Sequence, residues 1–340
     1  MIQKYPRGSE WRKWDLHFHT LSSYDYHDKS VANVDIINQL SANSISVVAI
    51  TDHHVIDINR IQELQMLGKE KNITVFPGIE FLSDARGSDP IHFIGIFSNY
   101  SDIDYIWGQI QNNTSIKKVK GEGKNINEVY CDLEDTIRLV KELGGVTTIH
   151  SGQKHGSIES ITNSLPHTIA QKKDIAELID IYELGKEEDQ QGYIEKVFPV
   201  IGKVLPMIIC SDNHNVKKYV TKQNCWIKAD PTFEGLKQII YEPEERVKIQ
   251  EYKPSENLNK ISEIELNFKN DIKIKANGGS DEYNFCFSDV KEKLYLSNYF
   301  NCFVGGRGSG KSSLLNLIYE NITGEKDTYF LSNNTFTNLD

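Results

Sequence analysis

The sequence lacks most of what would take it out of the class of folded, soluble chains. Its 340 residues hold only 9 prolines and an ordinary 23 glycines, with no internal repeat or low-complexity tract, so it is neither fibrous nor disordered. No apolar run approaches a membrane span, and Ile45–Ile50 is typical of the longest. The opening, MIQKYPRGSEW, has no apolar core of the kind a secretion signal needs. The five cysteines, at 131, 210, 225, 286 and 302, are odd in number and form no C-x-x-C pair. That argues against a disulfide framework and predicts free thiols in a cytoplasmic chain. Positive charge is in deficit: 38 Lys and Arg face 48 Asp and Glu, a formal net charge of −10. An overall basic, nucleic-acid-coating surface is therefore unlike this chain, while a local basic groove or metal ions offsetting local acid remain compatible with it.

The length fits about two domains of roughly 150 residues each, or one large α/β barrel with a smaller piece. Apolar runs that read as strands are Trp14–Phe18, Ile45–Thr51, Thr74–Ile79, Ile91–Phe97, Val146–Ile149, Ile179–Glu183 and Pro206–Cys210. Between them, Val31–Leu40, Asp57–Leu67, Asp132–Leu143 and Gln190–Val200 space apolar residues three and four apart, as helices do. Gly144 and Gly145 follow Leu143 as a helix stop. This alternation predicts parallel strands with covering helices, and seven strands favour a closed or nearly closed barrel over residues 1–250. Residues 251–259 are polar, contain Pro254 and read as a linker. Over 260–340 the pattern changes to short strands without helices between them: Ile261–Asn267, Asp271–Lys275 and Glu282–Phe287. A further apolar run, Tyr299–Val304, leads into a glycine-rich loop and a helix.

The strand candidates share a position-specific feature. Nearly every one in the barrel region begins or ends in a metal-ligand type. His17 and His19 are two apart, so both imidazoles face one side of a strand. ISVVAIT runs into Asp52, His53 and His54; TVFPGI ends in Glu80; His92 opens IHFIGIF; VTTI ends in His150; PMIICS leads to Asp212 and His214. In α/β barrels the C-terminal strand ends build the active site. A single histidine after a strand is ordinarily a structural hydrogen-bonder, but two paired motifs with three further strand-end ligands do not arise by coincidence. Imidazole and carboxylate without thiolate suit zinc, manganese or iron.

DLHFHT, AITDHH, PGIEF, IHFIG, TTIHSG and CSDNHN resemble the successive motifs of the PHP (polymerase and histidinol phosphatase) superfamily, in order, over about residues 12–250. The resemblance implies a distorted (β/α)7 barrel, two or three divalent ions and phosphoester hydrolysis. It implies one ion on His17, His19, Glu80 and Asp212, a second on Glu80, His92 and His150, and a third on Asp25, His53 and His214. The resemblance further implies that Glu80 bridges and that Glu80 and His150 stand at the centre of the chemistry. A divalent ion lowers the pKa of water it binds from about 15.7 to around 7, and two ions about 3.5–4 Å apart can hold both the attacking and the leaving oxygen. Asp52 is expected to orient an imidazole from behind. Lys154, His155 and Arg86 are within chain reach of a substrate phosphate, which a guanidinium grips with two hydrogen bonds. His27 and His167 carry no motif and read as surface residues.

Gly305 to Ser312 reads G-x-x-x-x-G-K-S, with an apolar strand, YFNCFV, expected before it and the amphipathic SSLLNLIYENI after it. The pattern predicts that the backbone of Gly305, Gly308 and Gly310 and the helix start at Ser312 and Ser313 cradle the phosphates of ATP. Lys311 would reach the β- and γ-phosphates and Ser312 would hold Mg²⁺. Only 29 residues follow Lys311, with no apolar strand ending in Asp or Glu. From about residue 260 the chain resembles the opening of an ABC- or SMC-like ATPase. The whole layout resembles PHP–ATPase fusions of the TrlF-like and Ppl types, the latter linked with phage defence. Their ATPase portion is longer, so the chain is expected to be the N-terminal part of such a protein or a natural truncation. The functional expectation is a nuclease acting on DNA or RNA and regulated by the ATPase segment, through which the chain could self-associate; no membrane is involved. A small-molecule or nucleotide phosphatase is the alternative within hydrolases, and a nucleotide-responsive assembly protein is the alternative outside them.

Overall fold

In a computed structural model the described residues are 8–83, 90–161, 166–221, 223–255, 261, 263–268, 273–275, 282–284, 290–297 and 299–322. The chain divides into two compact units, Met1–Asn257 and Leu258–Asp340.

The first unit is organised around β1 (Glu10–Phe18), whose far half is wholly buried. One edge of β1 pairs in parallel with β2 (Ile45–Ile50), which pairs in parallel with β3 (Thr74–Ser83). The sheet continues through β4 (Ile91–Ile96), β5 (Val146–Ser151), β6 (Ile181–Leu184) and the two-residue β7 (Met207–Ile208). The other edge of β1 changes partner along its length. Glu10–Lys13 pair antiparallel with β8 (Cys225–Ala229), which also pairs with β9 (Val247–Ile249). Further along, Asp212 N–H donates to His17 O at 3.0 Å and His19 N–H to Asn213 O at 3.2 Å, so the chain leaving β7 returns to β1 and nearly closes the ring. β8 and β9 extend this nine-stranded sheet and are absent from the sequence expectation.

The strands are not all parallel as expected: β4 runs antiparallel to both β3 and β5. Ser83 and Ile91 are too close in sequence for a crossover, which takes about a dozen residues or more. β4 therefore enters the sheet at the rim where the parallel strands leave it. This is why His92, at its start, joins the residues at the ends of the others.

Helices cover the ring: α1 (Asn33–Ala42), α2 (Ile58–Glu70), α3 (Ile103–Asn113), the short α4 (Lys117–Gly121), α5 (Leu133–Glu142) and α6 (Pro166–Leu178). An irregular helical stretch follows, with α7 (Asp189–Gly192) and α8 (Phe198–Ile201), then α9 (Phe233–Tyr241) and α10 (Pro243–Arg246). Asp57, Asp102 and Asp132 cap α2, α3 and α5 by accepting the N–H of Arg60, Tyr105 and Asp135. α5 buries Leu133, Ile137 and Val140. A Cβ at Gly95 on β4 would meet Val140 at 2.9 Å, so glycine there lets the helix seat closely. Burying a valine of this kind contributes about 2 kcal/mol.

In the second unit, β10 (Glu263–Asn267) pairs antiparallel with β13 (Lys291–Tyr295), and β11 (Lys273–Lys275) with β12 (Glu282–Asn284). α11 (Lys311–Ile322) follows the glycine-rich loop. The run 299–304 is not a strand as expected; Phe300 and Val304 are 85% exposed, and no described segment pairs with them. An apolar run becomes a strand only where a partner edge accepts its hydrogen bonds. Among the described residues no helix is long and apolar enough to cross a membrane.

Candidate metal centre

Glu80 on β3 is the hub of a buried cluster at one rim of the ring. Its Oε2 lies 3.0 Å from His17 Nε2, 3.1 Å from His19 Nε2 and 3.3 Å from His53 Nδ1. Its Oε1 lies 2.6 Å from His92 Nδ1 and 3.6 Å from His150 Nε2. Asp212 Oδ1 is 3.4 Å from the Nε2 of both His17 and His19, which are themselves 2.9 Å apart. To one side, Asp25 Oδ2 is 3.3 Å from His53 Nε2 and 3.0 Å from His214 Nε2. All nine residues singled out as ligands in the sequence thus stand in one constellation.

The backbone that presents them is held from behind. Asp15 accepts the Ser211 N–H at 3.0 Å and the Tyr219 hydroxyl at 2.8 Å, fixing the strand end that delivers Asp212. Asp212 itself has φ of +51°, in the left-handed region that costs most residues about 1 kcal/mol or more. Asp52 was expected to orient an imidazole. Instead it accepts the N–H and hydroxyl of Thr20, tying the turn after β1 to the end of β2. His54 turns away from the cluster, and its Nε2 accepts the Leu82 N–H at 2.7 Å.

Among the described residues there are four groups of potential ligand atoms, those within each group lying within 4.8 Å of one another. One is His17, His19, Glu80 and Asp212, and another adds His19 to Asp25, His53 and His214. The expected second group, Glu80 with His92 and His150, is divided: His92 and Glu80 stand with His53, while His150 stands with His17 and Glu183. His150 Nε2 is 3.6 Å from both Glu80 Oε1 and Glu183 Oε2, midway between two carboxylates.

The donors fit divalent ions. Ligands on a tetrahedral zinc with bonds of about 2.0–2.1 Å lie about 3.3 Å apart, close to the 2.9–3.4 Å separations around Glu80 Oε2 and Asp212 Oδ1. His150 Nδ1 donates to His155 O at 2.8 Å, leaving Nε2 bare and facing the cluster. His53 Nδ1 and His214 Nε2 are buried 3.3 and 3.0 Å from carboxylate oxygens without hydrogen-bond geometry, as expected of atoms meant to share a cation. Burial raises the pKa of the Glu80 and Asp212 carboxylates, but His53 and His17 around Glu80, and His17 and Lys154 beside Asp212, outweigh it and hold both well below the usual range.

Sequence reasoning missed Glu183. It ends β6, is wholly buried, and faces His17 Nδ1 with both oxygens at 3.0 Å. The signal is the same strand-end rule, since the run Ile179–Glu183 reads as a strand. Lys154, expected at a substrate phosphate, is buried with its ammonium 2.9 Å from Glu183 and 3.0 Å from Asp212. Burial opposes its charge, yet these two carboxylates raise its pKa above the ordinary lysine value. His155 packs edge-on against His92. His27 is exposed; its backbone N–H donates to His214 O at 3.0 Å, and its imidazole belongs to none of the ligand groups. Arg86 and the His167 side chain lie outside the described residues.

In the second unit, Gly308 and Gly310 have φ of +79° and +86°, and Lys311 Nζ folds back onto the carbonyls of Gly305 and Gly306 at 2.7 Å each. Ser312 and Ser313 lie in the first turn of α11.

The first unit is therefore a nearly closed α/β strand ring with an imidazole–carboxylate cluster suited to several divalent ions. No protein-family model and no curated protein matches the chain. It is similar in structure to a two-domain protein from Bacteroides vulgatus containing a predicted PHP-like metal-dependent phosphoesterase. That match covers 72% of this chain and 66% of that one, at 17% identity and a TM-score of 0.47. An amidohydrolase from Chromobacterium violaceum, with bound sulfate and no metal, is similar over 70% of this chain and 98% of that one, at 15% identity and a TM-score of 0.44.

Proposed function

We propose that the protein is a metal-dependent phosphoesterase that cleaves nucleic-acid phosphodiesters. The observation that carries the reading is the convergence of His17, His19, Glu80 and Asp212 on one buried point at ligand spacing. One ion is assigned to those four residues, a second to Glu80, His92 and His150, and a third to Asp25, His53 and His214, with zinc, manganese or iron as the candidate metals. Such ions supply Lewis-acid stabilisation of phosphoryl charge and a water acidic enough to ionise near pH 7.

The chain's own groups position the rest. Glu183 holds the His17 ring through Nδ1, and the His155 carbonyl holds His150, so that each presents Nε2 to the cluster. Lys154 stands beside Asp212, where its ammonium can move from the carboxylate to a substrate phosphate oxygen. Arg86 is assigned a second phosphate contact. The loop of Gly305, Gly308, Gly310, Lys311, Ser312 and Ser313 is assigned to ATP with Mg²⁺, as a regulatory module through which copies of the chain could associate. A role in phage defence follows from the resemblance of the whole layout to PHP–ATPase fusions.

The test is to offer the metal-loaded protein single- and double-stranded DNA, RNA and a panel of phosphate monoesters. Diester cleavage, abolished by chelation and by Glu80→Gln, is the expected result. Turnover confined to monoesters would replace the nuclease reading with that of a small-molecule phosphatase, and no turnover of any would overturn the enzymatic reading.

A further inference from the structure

Lys154 reaches the metal centre from a loop that is tied down on both sides. After β5, the Tyr193 hydroxyl accepts the Gly152 N–H at 3.2 Å and Asp189 Oδ2 accepts the Gln153 N–H at 2.8 Å. A Cβ at Gly185, just past β6, would meet the Lys154 backbone nitrogen at 2.6 Å, so the two segments lie in direct contact. The Lys154 side chain is 7% exposed, and its ammonium lies 2.9 Å from Glu183 Oε1 and 3.0 Å from Asp212 Oδ2. Lysine is almost never buried unless it is paired, and this one has two carboxylates.

The two oxygens of Asp212 serve different purposes. Oδ1 lies 3.4 Å from the Nε2 atoms of His17 and His19, within the group suited to a divalent ion. Oδ2 carries the ammonium. A lysine cation and an ion bound by that group would therefore stand on opposite oxygens of one carboxylate. Charges of like sign at such a separation repel strongly in a buried site, where little water screens them. Before an ion is bound, the same ammonium compensates Glu183 and Asp212, whose negative charges would otherwise be costly to keep out of water.

We propose that Lys154 is a built-in counter-cation: it holds Glu183 and Asp212 together in the metal-free protein, and it lowers the affinity of the centre for divalent ions by opposing them across Asp212. The inference rests on the assignment of an ion to His17, His19, Glu80 and Asp212, and not on hydrolysis. It has a consequence that damage to the site cannot imitate. A loosened or misfolded centre binds metal more weakly, whereas removal of this charge makes it bind more tightly.

The test strips the 340-residue protein of metal and titrates zinc against a chromophoric chelator, in wild type, Lys154→Met and Lys154→Gln. Met keeps most of the buried stem without the charge. Because it leaves two carboxylates uncompensated, it endangers the metal-free fold; Gln, which retains an amide donor, is the second variant. Both are expected to bind zinc at least about tenfold more tightly than wild type. Their melting temperatures should also rise more on zinc addition, since stabilisation by a ligand grows with its affinity. Equal or weaker zinc binding by the folded variants would overturn the proposal, and so would variants that stay unfolded with zinc present. A wild type that takes up no zinc, manganese or iron would instead overturn the metal assignment beneath it.

Discussion

His17 Nδ1 stands 3.0 Å from both oxygens of Glu183, a residue with no exposed surface. This contact fixes the His17 tautomer and aims Nε2 at Glu80 and Asp212. The same carboxylate binds Lys154, whose ammonium also holds Asp212, so a single side chain orients two neighbours of the proposed metal position. Glu183→Gln keeps the volume and one acceptor but removes the charge. It is expected to weaken metal affinity by about 10- to 100-fold, the usual effect of losing a partner that orients a ligand. Competition against a chromophoric chelator measures this, with circular dichroism to confirm the fold. Unchanged affinity would mean that His17 needs no orienting partner.

A second expectation concerns protons. Burial drives the His17 and His19 pKa values down, but carboxylates prevail. Asp212, Glu183 and Glu80 hold His17 well above its usual value, and Asp212 and Glu80 lift His19 to about 9. Two nitrogens 2.9 Å apart cannot both point hydrogens at each other, so the pair shares its excess charge. In the metal-free protein a raised histidine pKa stabilises the fold fully below about 6.5, and the contribution fades as pH rises through about 9. A metal needs bare nitrogens, so metal uptake at pH 7 should expel a proton from this pair. Titration calorimetry in buffers of differing ionisation enthalpy would read it. The heat should depend on the buffer at pH 7 and lose that dependence as pH passes about 9; buffer-independent heat at pH 7 would contradict the assignment.

Much of the ring was legible because its strands are short apolar runs separated by amphipathic helices with aspartate caps. The His-x-His pair was legible for a local reason: the two-residue period of a strand places both rings on one face. β8 and β9 were not legible, since CWIKA and VKI are short and pair only with residues far away in sequence. The reversed direction of β4 could have been read from the brevity of the link after Ser83. Glu183 could have been read from its strand-end position. Asp52 departs from the expectation because adjacency to His53 does not place its side chain beside that ring; past the end of β2 it turns to accept the N–H and hydroxyl of Thr20. The run 299–304 shows the reverse problem, an apolar stretch whose local pattern reads as a strand but that finds no partner edge among the described residues.

The first unit should stand alone. Its buried core and the four groups of potential ligands found among the described residues lie before residue 250. A fragment covering residues 8–257 is expected to fold, to take up the same metal per chain as the whole protein, and to keep basal phosphoesterase activity. A soluble, metal-loaded but inactive fragment, alongside an active full chain, would show that the second unit completes the active site.

Lys311 folds onto the Gly305 and Gly306 carbonyls, where a phosphate would draw it away. Lys311→Ala should lower affinity for ATP by at least about tenfold, since it removes a charge-assisted contact. Basal hydrolysis by the first unit should change by no more than a few fold. Equilibrium dialysis with labelled ATP measures the first effect, and parallel activity assays measure the second. ATP affinity that is indifferent to the substitution would remove the phosphate-binding role from this loop.

The most direct measurement is metal content per chain in Glu80→Ala beside His27→Ala. Glu80 reaches five histidines of the cluster, whereas the exposed His27 imidazole belongs to none of the groups of potential ligands. If Glu80 bridges ions that perform phosphoester hydrolysis, Glu80→Ala loses more than one ion's share of metal together with all activity, and His27→Ala keeps both. Equal metal content in wild type and Glu80→Ala would contradict the account.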